Sequence, residues 1–241
     1  MRRVLIAILF LLGFPAAAAE AASVKVVDCV PALDPVARTA TFEARVRAAR
    51  DSTRMQVRYT LQVREFDIGG WRRVVAGGLD TWLTSDPGVR RYTYDKTVQN
   101  LAAPAAYRAV VRFRWLDAAG AVLKGARRTS AVCRQPDLRP DLDAQRIDAM
   151  PGLEPGTGSY AVTVRNDGRT AAPAFAVALR AGDEVLMPLT IPGLAPGERR
   201  VVAFTGPACT AGAELEATVD PGDDVDERDE GDNVLLVSCA P

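Results

Sequence analysis

Residues 106–117 read AYRAVVRFRWLD. Tyr107, Ala109, Val111, Phe113 and Trp115 share one parity, and Arg108, Arg112 and Arg114 share the other. Successive side chains of an extended chain point to opposite faces, so a period of two sorts this stretch into an apolar face and a basic one. A helix would spread both sets around its circumference. The stretch is read as a β-strand, half buried, with its arginines outward.

Residues 55–66, MQVRYTLQVREF, repeat the pattern: Val57, Tyr59, Leu61 and Val63 inward, Arg58 and Arg64 outward. In TATFEARVRA, residues 39–48, Phe42, Ala44 and Val46 share the inward face. Four further runs, SVKVVDCV, WRRVVAG, RRYTYDKTV and AVLKGARRTSAVC, complete a set of seven, with Gly69-Gly70, Asp86-Pro87-Gly88 and Ala119-Gly120 among the turns. Seven short strands with such punctuation predict a two-sheet antiparallel sandwich.

The same periodicity continues further on. Tyr160, Val162 and Val164 share a face, as do Phe175, Val177 and Leu179, and Leu215, Ala217 and Val219. Asn166-Asp167-Gly168 and Pro196-Gly197 supply turn residues. The expected fold is all-β, with two tandem sandwiches of about 110 residues each. Their joint is placed in RQPDLRPDLDAQR, where Pro136 and Pro140 favour extended, stiff geometry. This gives a basic sandwich over 24–135 and an acidic one over 136–241.

The chain holds 30 basic and 30 acidic residues, yet its halves are opposite. Residues 24–135 carry 20 basic and 10 acidic residues, net +10; residues 136–241 carry 8 and 19, net −11. The acidic surplus is concentrated in VDPGDDVDERDEGDN, residues 219–233, with eight carboxylates and one arginine.

The opening MRRVLIAILFLLGFPAAAAEAAS has two arginines, an apolar core from Val4 to Phe14 and then small residues. This three-part pattern predicts a secretory signal peptide over 1–21, cleaved after Ala19 or Ala21, with a core too short to span a bilayer. The expected location is secreted, extracellular or at the cell surface, without stable membrane insertion. Four cysteines, Cys29, Cys133, Cys209 and Cys239, suit a compartment where disulfides persist. Of three connectivities, the domain division favours Cys29 with Cys133 and Cys209 with Cys239.

LAAPAAY, residues 101–107, resembles the approach to the sixth strand of fibronectin type III domains, which implies an immunoglobulin-like sandwich and a Tyr107 hydroxyl tied to nearby backbone. In that strand order the third and sixth runs are neighbours, so Arg58, Arg64, Arg108, Arg112 and Arg114 share one outer face. From residue 136 onward, PDLDAQRIDAMP, GTGSYAVTVRNDG, AFAVALRAGDEV, IPGLAPGERRVVAF, AELEATVDP and DERDEGDNVLLV resemble, in order and spacing, CARDB, the cell-adhesion-related domain found in bacteria. Asp232-Asn233 stands where that family usually has an Asn-Asn pair. The resemblance implies a bacterial immunoglobulin-like sandwich in an exported or surface protein, in a family not known for catalysis.

Candidate chemistries follow from the residue types. The chain has no histidine, which excludes Ser-His-Asp triads and histidine bases. Its acids crowd one loop, where two carboxylates are not set apart across a cleft as glycoside hydrolysis requires. No enzyme is expected. No cofactor is expected either; the alternative is calcium on Asp220, Asp223, Asp224 and Asp226, although the loop lacks EF-hand spacing. The arginine face suits carboxylate or phosphate groups, and Trp71 and Trp82, near expected loops, are candidates for stacking on sugars. Nucleic acid is not an expected partner, since no aromatic stripe interleaves those arginines along their strands. The readings in play are an adhesion or scaffold protein contacting an extracellular protein, a binder of carbohydrate or anionic cell-wall polymer, and an accessory module of an extracellular hydrolase. The opposed charges also predict salt-sensitive self-association.

Overall fold

The structure is a computed structural model describing residues 21–66 and 68–239. The expected signal peptide lies outside the described residues except for Ala21. Strands β1 (Ala22–Val30), β2 (Thr39–Arg47), β3 (Arg54–Glu65), β4 (Arg72–Arg73), β5 (Leu83–Thr84), β6 (Arg91–Val98), β7 (Ala105–Leu116), β8 (Val122–Thr129) and β9 (Cys133–Gln135) make up the first half. β1-β2-β6 form one antiparallel sheet and β4-β3-β7-β8 the other, with β5 on β3 and β9 on β7. β1 starts two residues before the expected domain boundary, and its Ala22 is already buried.

The inward residues meet between these sheets as their alternation dictates. Phe42, Val46, Val57, Tyr59, Leu61, Val111, Phe113 and Trp115 are buried in one cluster. Polar handles on these rings find backbone partners: Trp115 Nε1 donates to Arg47 O at 2.7 Å, and the Tyr107 hydroxyl to Ala102 O at 3.1 Å. The latter is the tie implied by the LAAPAAY resemblance.

Two runs depart from expectation. WRRVVAG yields only the two-residue β4, because Arg72-Arg73-Val74-Val75 pairs like with like and presents no single apolar face; Val75 is exposed. The chain then returns along the same edge of β3 as β5. AVLKGARRTSAVC divides at Ser130, whose Oγ accepts from Ala109 N at 3.0 Å, into β8 and β9.

The second half holds β10 (Leu142–Pro151), β11 (Thr157–Asn166), β12 (Phe175–Ala181), β13 (Glu184–Val185), β14 (Leu189–Ile191), β15 (Arg199–Pro207), β16 (Glu214–Val219) and β17 (Val234–Ser238). β10-β11-β15 face β13-β12-β16-β17, with β14 on β12. Tyr160, Val162, Val164, Phe175, Val177, Leu179, Leu215, Ala217 and Val219 form a separate buried cluster. The architecture is all-β, two antiparallel sandwiches in tandem, and no α-helix occurs among the described residues.

The joint is shorter than the proline pattern predicts. Gln135 is buried on the first half, its amide reaching Val30 O and Thr39 O at 3.3 Å. Leu138 O already accepts from Thr170 Oγ1 at 2.7 Å, and Pro140 O from Arg228 N at 2.9 Å. Only Pro136 and Asp137 separate one set of contacts from the other. The disulfides pair Cys29 with Cys133 and Cys209 with Cys239, at Cα–Cα distances of 5.6 and 5.7 Å, each within one half.

Candidate functional site

Register assembles the arginine face. Pairing of β3 with β7 sets Arg58 opposite Arg112, Gln62 opposite Arg108 and Gln56 opposite Arg114; pairing of β7 with β8 sets Arg127 opposite Arg112. Neighbouring strands lie about 4.8 Å apart, so Arg58, Arg112 and Arg127 form a row of three positive charges across three strands. Arg64 lies farther along β3, opposite Ala106. The five expected arginines are brought together, and Arg127 joins them. It was hidden in a run whose Arg127-Arg128 doublet leaves the outward parity ambiguous.

Both tryptophans belong to this face. Trp71 immediately precedes β4 and Trp82 immediately precedes β5, the two short strands on the outer edge of β3. The Arg58 and Arg114 guanidiniums stand 4.9 and 4.0 Å from the centre of the Trp82 ring. Those of Arg64 and Arg108 stand 5.1 and 4.0 Å from Trp71. Each ring attracts two cations through its electron-rich face, at roughly 0.5–1 kcal/mol per contact where exposed. The two rings that are candidates for stacking on sugars each stand against two guanidiniums. The aromatic residues absent from the strands enter from the adjoining connection.

Between the two Trp-Arg clusters lies a shallow hollow of about 350 Å³, lined in part by Arg58, Thr60, Arg73, Asp80, Arg112 and Arg127. Asp80 is tied to Thr60 Oγ1 at 2.6 Å and to Arg73 at 2.7 Å. Burial pushes its carboxyl up, but the Thr60 hydroxyl and the Arg73 guanidinium outweigh this and hold it below the usual carboxylate range. Among the described residues, no carboxylate lies within 4.0 Å of the guanidinium nitrogens of Arg58, Arg112 or Arg127. The buried Arg58 Nε has no hydrogen-bond partner.

The acidic stretch 219–233 is a folded clasp rather than the freely solvated hairpin its composition suggests. Asp220, at φ 46°, is buried and accepts from Val225 N at 2.8 Å, which tucks Val225 into the core. Glu227, 1 % exposed, accepts from Leu142 N and, at 3.2 Å, from Asn233 Nδ2. Burial pushes the Glu227 carboxyl up to about 7, with those two donors opposing. Arg228 pairs with the fully buried Asp141, and Arg139 bridges Asp137 and Asp226 at 2.8 and 2.7 Å. Of the clasp carboxylates, only Asp226 is ion-paired among the described residues, to Arg139, while the clasp's own Arg228 serves Asp141. Asp223 and Asp224 face solvent while Asp220 faces inward and Asp226 turns to Arg139, so the four candidate calcium ligands do not converge. Among the described residues, no group of three or more His, Cys, Asp or Glu side chains is placed to hold a metal ion.

The clasp closes beside a polar hub. Asn166, fully buried, donates to Thr170 O at 2.8 Å and Leu194 O at 2.9 Å, and accepts from Asp141 N and Gly168 N. A Cβ at Gly168 would lie 2.5 Å from Arg139 O, so only glycine admits this approach. The Asn-Asp-Gly turn and the Gly-Leu-Ala-Pro-Gly turn are therefore linked through one side chain.

Fold and connectivity define the class: tandem immunoglobulin-like β-sandwiches. The CARDB family model matches residues 135–237, so the second sandwich is a CARDB domain. Among solved structures, the chain is similar to the CARDB domain of a Pyrococcus furiosus protein in complex with di-metal ions, at 25% identity and TM-score 0.36, covering 43% of this chain and 90% of that one. It is also similar to residues 272–376 of a candidate cell-surface protein from Methanosarcina acetivorans, at 24% identity and TM-score 0.37, covering 42% and 91%. Red sea bream transglutaminase matches at 11% identity and TM-score 0.33, over 92% of this chain and 31% of that one. None of the curated proteins compared with the chain matches it. The two disulfides are consistent with an extracellular location. No helix among the described residues is long and apolar enough to cross a membrane.

Proposed function

We propose that this chain is an exported, non-catalytic adhesion or scaffold module that acts through contacts on its sandwich surfaces. The observation that carries this reading is the arginine face: Arg58, Arg64, Arg108 and Arg114 stack on Trp71 or Trp82, and the row Arg58, Arg112 and Arg127 has no carboxylate paired to it among the described residues. Such a surface suits binding rather than turnover. The absence of histidine and the absorption of Glu227 and Asp141 into backbone and arginine contacts support the non-catalytic part. Signal-like residues 1–21 and the disulfides support export to the cell surface.

The test is retention on washed cell-envelope material. Wild type is retained and released by about 1 M salt, at which the Debye length is about 3 Å. Arg112→Glu with Arg127→Glu, both exposed positions, lowers retention about tenfold. Equal retention of the variant would remove the arginine face from the account.

A further inference from the structure

The arginine face and the clasp carry opposite charge on opposite halves, and neither is spent on the other within the chain. Among the described residues, no ion pair joins Arg58, Arg112 or Arg127 to a carboxylate of residues 219–233. On the clasp, Asp223, Asp224, Asp229, Glu230 and Asp232 are exposed, and none is ion-paired to an arginine among the described residues. On the face, Arg58, Arg112 and Arg127 sit in adjacent register, where like charges directly opposite each other are destabilising. A carboxylate seated in the hollow between them relieves that repulsion. Planar guanidiniums take carboxylates two N–H bonds at a time, and in this row Arg58, stacked on Trp82, is ordered before the partner arrives. Because the tryptophan rings are engaged by arginine, the face fits a partner presenting carboxylates better than one presenting sugar rings.

We propose that the partner is a second copy of this chain: the exposed carboxylates of residues 223–232 in one molecule dock on the Arg58-Arg112-Arg127 row of the next. This rests on the surface-contact reading above and names its partner. The two patches differ and lie on the same chain, so the contact is head to tail. It propagates into open assemblies unless the geometry closes a ring.

The test uses purified protein without envelope material, so it can fail while retention on the envelope stands. In sedimentation velocity, the mean mass of wild type rises with concentration at about 0.01 M salt and returns to that of the monomer at about 1 M. A face variant, Arg112→Glu with Arg127→Glu, stays monomeric alone. So does a loop variant, Asp223→Asn, Asp224→Asn, Asp229→Asn and Asp232→Asn. Mixed, they form a heterodimer and nothing larger, because one keeps an intact clasp and the other an intact face. Wild type that stays monomeric at low salt overturns the proposal, as does association that both variants retain alone. A salt-dependent change of dimensions at constant mass also overturns it, placing the contact within one molecule. So does polygalacturonate binding to monomeric wild type that is lost in the face variant, which assigns the face to an acidic polysaccharide.

Discussion

The two sandwiches carry surplus charge of nearly equal size and dispose of it in opposite ways. In the first, guanidiniums are spread along the outer face of a sheet, ordered by tryptophan, with Asp80 already committed to Thr60 and Arg73. In the second, carboxylates are gathered into one clasp, with Asp220 and Glu227 folded inside, Asp226 paired with Arg139, and Asp223, Asp224, Asp229, Glu230 and Asp232 left exposed. Sheet register causes the first arrangement: alternation forces every outward position onto one plane. Loop closure causes the second, since a turn can fold its own side chains back onto backbone donors. Net charge alone does not reveal which charged groups are folded in and which stay on the surface.

The difference can be broken open most forcefully at the disulfides. Replacing Cys29 and Cys133 by serine, across a separation of 104, should cost about 4.7 kcal/mol in the chain-entropy account, and replacing Cys209 and Cys239, across 30, about 3.6 kcal/mol. All three tryptophans lie in the first half, so urea unfolding followed by tryptophan emission should register the first loss and not the second. Next in size, Asn166→Ala strands two amide donors and the Thr170 carbonyl in the second half, while Leu194 O keeps its bond from Ala172 N. The expected loss is about 3 kcal/mol, read by circular dichroism with tryptophan emission unaffected.

Protonation separates the halves as well. The Glu227 carboxyl is raised in the fold, so its contribution is fully present below the unfolded value near 4.5 and is lost as pH rises through about 7. In the first half the Arg45 hydrogen bond holds Glu43 low, and Thr60 with Arg73 holds Asp80 low. That stability is present above the unfolded carboxylate values and is lost as pH falls through the depressed ones. Between pH 5 and 8 the second transition should therefore weaken while the first stays level. Glu227→Gln should flatten the second, by on the order of 2 kcal/mol at the alkaline end. Smallest of all, Arg112→Gln should stabilise the first half by a few tenths of a kcal/mol at low salt by removing the middle of the row. Denaturant midpoints with and without 1 M salt check this, and the gain should vanish as screening sets in.

The buried faces of β3, β7, β11 and β16 were legible because alternation over five or more residues has only one extended reading. Adjacency of β3 and β7, and with it Arg58 beside Arg112, followed from the fibronectin-like resemblance. Arg127 escaped because its doublet with Arg128 leaves parity undecided; the placement of Trp71 escaped because WRRVVAG has no alternation, and that of Trp82 because it lies outside the alternating runs. The interior of the clasp was least legible: Arg139 meets Asp226, and Arg228 meets Asp141, across 87 residues. Eight carboxylates in fifteen positions say nothing about Arg139 and Asp141, which only tertiary closure brings near.

Repulsion among Arg58, Arg112 and Arg127, which have no carboxylate within ion-pair distance among the described residues, is read out by the salt dependence of the first transition in protein dilute enough to be monomeric. The urea midpoint read by tryptophan emission should rise between about 0.01 M and 1 M salt, as like-charge repulsion across Arg58, Arg112 and Arg127 is screened. Arg112→Gln with Arg127→Gln should show a smaller rise, as this repulsion requires. A midpoint that stays level or falls in wild type, or an equal rise in the variant, would contradict it.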